Sequence, residues 1–164
     1  MGRILITHAT RAGSTTDIAG ILADALRDTG HEVVVANAKD NPSPDGYDLV
    51  VVGSGVGAGM WYSEAVGWAR ANADALRDRV ALFNVCITAA DPSKYEEAIA
   101  YNDAVAKLVD PLNQTSFAGR VAPKEVGFLK RLLLRWMRAP QQDHVNADAI
   151  RSWAAELESL VPAA

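Results

Sequence analysis

The run Asp48-Leu49-Val50-Val51-Val52-Gly53 constrains this chain more than any other feature. Four consecutive apolar residues, three of them β-branched, leave no polar face. Such a run is read as a strand buried on both sides, the signature of a parallel sheet covered by helices. Three other runs read the same way: Arg3-Ile4-Leu5-Ile6-Thr7, Glu32-Val33-Val34-Val35-Ala36 and Val80-Ala81-Leu82-Phe83-Asn84-Val85-Cys86. A fifth, weaker strand is predicted from Thr115 to Val121.

Helical patterns separate the strands. Ile18, Ile21, Leu22, Ala25 and Leu26 share one face, and Gly30 ends that helix. Ser63 is placed as the cap of a second helix, with Ala65, Val66, Ala69, Ala73 and Leu76 inward. Asp91-Pro92 reads as an N-cap with proline at the first helical position, leading into Tyr95, Ile99, Val105, Leu108 and Val109. Two helices close the chain, Val126 to Arg138 and roughly Val145 to Leu160, the latter with Ile150, Trp153, Leu157 and Leu160 facing in. Asp40 to Gly46 and Ser54 to Tyr62 are loops by composition.

This alternation predicts one α/β domain over residues 1–164. A five-stranded parallel sheet lies between two layers of helices. Right-handed crossovers suit the strand order 2-1-3-4-5. Ligands of such sheets bind beyond the carboxyl ends of the strands, where the order reverses. Here that means the loops after strands one, three and four.

Composition narrows the function. A chain 49% hydrophobic and 22% charged buries a core and is not disordered. A net charge of -4 argues against a nucleic-acid partner. One cysteine, Cys86, excludes an intramolecular disulfide, and His8, His31 and His144 have no ligand spacing, so no metal is expected. The first residues do not form a signal peptide and no stretch has the length of a membrane span, so a cytoplasmic protein is expected.

The turn after strand one, Thr10-Arg11-Ala12-Gly13-Ser14-Thr15, brings three hydroxyls and a glycine to the start of a helix. Unpaired N–H groups and the helix dipole favour an anion there. The turn lacks the Walker lysine and the Rossmann triple glycine. A plain helix cap, formed by Ser14 or Thr15, would use the same residues.

At this loop the chain resembles the flavodoxin family, whose phosphate loop has Ser/Thr-x-Thr-Gly-x-Thr character. It is similar, more closely, to the flavodoxin-fold menaquinone-dependent protoporphyrinogen IX dehydrogenases, whose loop reads Ser-Thr-Arg-Asp-Gly-Gln-Thr. Ala9-Thr10-Arg11-Ala12-Gly13-Ser14-Thr15 follows that spacing. The resemblance runs over nearly the whole chain. It implies flavin mononucleotide (FMN) as cofactor, with Thr10, Arg11, Ala12, Gly13, Ser14 and Thr15 on its phosphate. Ring contacts are implied in the glycine-rich loop, from Gly57, Ala58 and Trp61. Trp61 or Tyr62 is expected to stack on the ring. The loop Asn84, Val85, Cys86, Ile87 and Thr88 is implied on the pyrimidine side. Neither ring loop carries a carboxylate. The reduced flavin is therefore expected at a less negative potential than in an acidic flavodoxin.

Lys124 to Arg138 holds five basic residues and one acid, on a helical pattern with half its circumference apolar. One reading packs it on the domain with solvated arginines. The other gives Lys130, Arg131, Arg135 and Arg138 to anionic lipid at the inner membrane face or to the carboxylates of a porphyrin-type substrate. The resemblance implies an oxidoreductase working with a quinone or another redox partner. A flavodoxin-type carrier, a module that has lost its flavin, and a deazaflavin in place of FMN stay open. No acid–base or nucleophile constellation stands out, so no catalytic residue is named.

Overall fold

A computed structural model describes residues 1–120 and 144–163. Its elements are β1 (Arg3–Ala9), α1 (Ser14–Asp28), β2 (Glu32–Asn37), β3 (Leu49–Gly57), β4 (Met60–Trp61) and α2 (Ser63–Ala71). Then come α3 (Ala73–Leu76), β5 (Val80–Cys86), α4 (Tyr95–Ala100), α5 (Asp103–Val109), β6 (Asn113–Ala118) and α6 (Ala147–Glu158). Short 3-10 turns lie at Ala38–Asp40, Thr88–Ala90 and Pro92–Lys94.

The sheet order is β2-β1-β3-β5-β6, all parallel, with β4 antiparallel to the end of β3. Leaving aside the two-residue β4, this is the order 2-1-3-4-5 expected from the sequence. The chain reverses direction across the sheet between β1 and β3, and that switch point fixes where a ligand cleft opens.

Strand alternation sends neighbours to opposite faces, and both faces are covered. Ile4, Ile6, Val51, Phe83 and Phe117 pack against Ile18 and Leu22 of α1 and Ile150, Trp153 and Leu157 of α6. Leu5, Val50, Val52 and Leu82 pack against Trp68 of α2, Leu76 of α3 and Val105 of α5. This is why Leu49–Val52 could be apolar without interruption. Phe83, Phe117 and Trp153 meet edge to face with centroids 5.7 to 6.0 Å apart. Gly53 makes room for them: a Cβ there would lie 2.1 Å from Phe83 Cζ.

Several boundaries differ from the sequence reading. The supposed loop from Ser54 is largely strand, because β3 runs on to Gly57 and turns back through Ala58–Gly59 into β4. Ser63 is not the cap of α2. Extended Tyr62 holds that position, and the Ser63 hydroxyl donates to the Glu64 carboxylate instead. Asp91 does cap, accepting from Ser93 N, but the helix beyond is divided among a 3-10 turn, α4 and α5. The last strand starts at Asn113, before Thr115, and ends at Ala118. The basic segment, with Lys130, Arg131, Arg135 and Arg138, lies outside the described residues.

Candidate functional site at the carboxyl edge of the sheet

A cavity of about 180 Å³ opens where β1, β3, β5 and β6 end. Thr10, Arg11 and Ala12 line it from the turn after β1, and Ser14 and Thr15 from the first turn of α1. Gly55, Val56 and Tyr62 come from the hairpin of β3 and β4, Val85, Cys86 and Ile87 from the end of β5, and Gly119 and Arg120 from the end of β6. Its volume is below the roughly 300–1,000 Å³ of pockets that enclose drug-sized ligands. A cavity of this size suits a compact anion rather than a whole drug-sized ligand.

Local structure explains the anion site. Gly13 sits at φ 85° as the N-cap of α1, with no side-chain cap bond, which leaves the first turn to an external acceptor. Thr10 Oγ1 accepts from Gly13 N at 2.9 Å and closes the turn. Ser14 and Thr15 are buried, at 5% and 1% exposure, yet both line the cavity. Glycines keep the walls close. A Cβ at Gly55 would stand 2.7 Å from Tyr62 Cε2, and one at Gly119 would stand 2.5 Å from Val85 Cγ1 and 3.0 Å from Ser14 Oγ.

Two guanidiniums line the cavity, and among the described residues no carboxylate does. Arg11 lies over the Tyr62 ring, 4.6 Å from its centroid, and pairs with Glu64 of α2. The Glu64 carboxyl is held below its ordinary range by its own backbone N–H and then by Arg11. Arg120 pairs with Asp17 of α1 at 3.0 Å.

The structure divides the residues chosen from sequence. It gathers Thr10, Arg11, Ala12, Ser14, Thr15, Val85, Cys86 and Ile87 around the cavity, with Gly13 shaping the turn. Gly57 and Ala58 belong to the hairpin beside Tyr62. Trp61 lies off the cavity. It is 6% exposed, packed in the core, and its Nε1 donates to Asn102 Oδ1 at 3.1 Å; Tyr62 takes the place beside the cavity. Asn84 lies off it too. Its amide is fully buried, donates to Ala98 O and Asn102 Oδ1, and accepts from Ser116 Oγ. Thr88 lies off the cavity, its hydroxyl 3.5 Å from Tyr101 Oη. Gly119 and Arg120 were missed. A Gly-Arg pair after a weak strand carries no local pattern; only the fold brings it to α1.

Among the described residues no cluster of three or more His, Cys, Asp or Glu side chains could hold a metal, and no helix is long and apolar enough to cross a membrane.

Comparison with known proteins places the cavity in a wider context. Residues 5–148 match the family described as Flavodoxin domain. The Escherichia coli (strain K12) protein named protoporphyrinogen IX dehydrogenase [quinone] is 32% identical over 95 residues, 56% of this chain and 52% of that protein. The chain thus spans about half the length of the curated relatives it matches. Among solved structures, Bacillus cereus flavodoxin 1 superposes with a TM-score of 0.59 at 17% identity, covering 96% of this chain and 97% of that one. The Streptococcus pneumonia TIGR4 flavodoxin gives 0.62 at 18% identity, covering 96% and 98%. A Corynebacterium diphtheriae oxidoreductase gives 0.62 at 14%, covering 98% and 97%. At these identities the structures show a shared fold.

Proposed function

We propose, from the premise that this chain belongs to the flavodoxin domain family, an FMN-binding family, that it is an FMN-dependent oxidoreductase passing reducing equivalents to a quinone. The observation that carries the reading is the cavity at the uncapped start of α1, with two buried hydroxyl residues and two flanking arginines at the switch point of the sheet. These residues fit the cofactor's phosphate: glycine walls admit it, and hydroxyls, amides and guanidiniums all donate.

When bound, FMN supplies one- and two-electron redox chemistry. The chain's own part is binding and electrostatics. Thr10, Ser14 and Thr15 would donate to the phosphate, and Arg11, which lies over Tyr62, would neutralise it. Gly55 and Gly57 keep the strand edge low beside Tyr62, whose ring offers a flat apolar surface to a planar ligand. Val85 to Ile87 close the opposite wall.

The quinone-linked reading is supported by the similarity to the E. coli enzyme and by a cavity lining without acidic side chains among the described residues. The porphyrin substrate and the membrane contact belong to the same proposal and rest on the basic segment Lys124 to Arg138.

Purified protein incubated with FMN should turn yellow and release FMN on denaturation. Anaerobic assay with protoporphyrinogen and a menaquinone analogue should then show turnover. A yellow protein without turnover leaves an electron carrier; a colourless one after excess FMN overturns the cofactor assignment. Co-sedimentation with vesicles should depend on anionic headgroups, and indifference to them removes the membrane contact.

A further inference from the structure

Arg120 lies after the last strand of the sheet, where nothing in the sequence marks it as a ligand. Gly119 brings it to the cavity. Any side chain at 119 would meet Val85 and Ser14, so only glycine lets the chain descend onto the first turn of α1. Arg120 then lines the cavity while its Nη2 rests on Asp17 Oδ2, 3.0 Å away. That pair is half-exposed on both sides, at 42% and 46%, and such pairs hold weakly. Asp17 itself does not line the cavity.

An independent observation marks the cavity as a polar ligand site. Ser14 and Thr15 are more than nine-tenths buried and line it, and among the described residues neither hydroxyl has a hydrogen-bond partner. With Arg11 also lining it, the cavity has two guanidiniums and the positive end of a helix in its wall.

We propose that Arg120 is a specificity residue of this cavity: it exchanges Asp17 for a dianionic phosphomonoester and sets the preference for FMN over riboflavin. The ligand's identity rests on the FMN reading; the anion chemistry does not. Two guanidiniums match a terminal phosphate, which carries close to two charges at neutral pH. They gain little from riboflavin, which has no phosphate.

The test is flavin titration of the full chain and its variants. Arg120→Gln should weaken FMN about 10–100-fold, the loss of a charge-assisted hydrogen bond, and leave riboflavin within about 3-fold. Arg120→Lys should recover part of the FMN affinity, since a point charge replaces a fork. Asp17→Asn should tighten FMN a few-fold by removing a carboxylate that competes with the phosphate for Arg120. If FMN and riboflavin weaken together in Arg120→Gln, or neither changes, the residue only shapes the wall and the proposal fails. If the unaltered protein takes neither flavin, the FMN reading falls, and inorganic phosphate decides the rest. Phosphate-induced amide shifts at Gly13 to Thr15 that vanish in Arg120→Gln support the anion role; no shift in the parent chain overturns it.

Discussion

Replacing Asn102 by alanine tests why the tryptophan sits in the core and the tyrosine at the cavity. Asn102 is fully buried between α4 and α5. Its Oδ1 accepts from Trp61 Nε1 at 3.1 Å and from Asn84 Nδ2 at 2.9 Å, and its Nδ2 donates to Thr115 O at 3.2 Å. Alanine leaves the Trp61 indole N–H and one of the two Asn84 amide N–H groups without an acceptor, each costing about 1–3 kcal/mol. The expected loss is about 4 kcal/mol, a large share of the roughly 5–15 kcal/mol that holds a domain together. With a urea slope near ~2 kcal/mol/M, the midpoint should fall by about 2 M. Trp61→Phe removes the indole donor, so the double variant should lose at least about 1 kcal/mol less than the sum of the singles. Denaturation curves for the four proteins measure this directly. Additivity within about 0.5 kcal/mol would refute the claim that Asn102 anchors Trp61.

Three further outcomes are expected. His8 is 4% exposed, its Nε2 lies 3.0 Å from Thr16 Oγ1, and its Nδ1 has no partner in hydrogen-bond geometry among the described residues. Burial lowers its pKa, with the Ala36 backbone offsetting part of that. A lowered folded pKa means the unfolded chain takes the proton first. Stability is therefore complete above about pH 6.5 and falls toward the folded pKa, by at most about 1.4 kcal/mol per pH unit; His8→Gln should flatten that slope in pH-dependent urea melts. Ala58 holds φ 51° in the two-residue turn between β3 and β4, so Ala58→Gly should leave the stability measured in urea melts unchanged or raise it by up to about 1 kcal/mol. Gly55→Ala sets a methyl 2.7 Å from Tyr62 Cε2 and pushes that ring toward the cavity; FMN titration should show a loss of about tenfold or more.

The sheet was legible because its signal is local. Buried parallel strands need continuous apolar runs, and Leu49 to Val52 and Val80 to Cys86 have few other readings. The turn from Thr10 to Thr15 was legible for the same reason: cap, glycine and hydroxyls are adjacent in sequence. Trp61 was not. Tyr62 continues the extended backbone of Trp61, and consecutive extended residues point to opposite sides, so only one of the two can reach the ligand side. Which one does is decided by Asn102, forty-one positions away. Asn84 was misplaced for a related reason. A polar residue at the end of a buried strand looks like a ligand contact, but its partners Ala98 and Ser116 come from other elements.

The same division of charge bears on the redox potential. Among the described residues the lining includes two arginines and no carboxylate, and Glu64 and Asp17 pair with those arginines from outside it. A reduced, negatively charged cofactor is therefore met by cations rather than by the acidic surroundings that push its potential down. A single charge about 10 Å away, at an effective dielectric of about 20–80, contributes roughly 0.4–1.7 kcal/mol. That corresponds to roughly 20–70 mV for one electron. Arg11→Gln removes one such charge and leaves the Glu64 carboxylate without its guanidinium. The potential of the FMN-loaded protein should drop by at least about 20 mV at low ionic strength and by less as salt screens the charge. Spectroelectrochemical titration at two salt concentrations reads both effects. A potential that rises, or holds within about 10 mV at low salt, would show that the arginines do not act on the ring through their field.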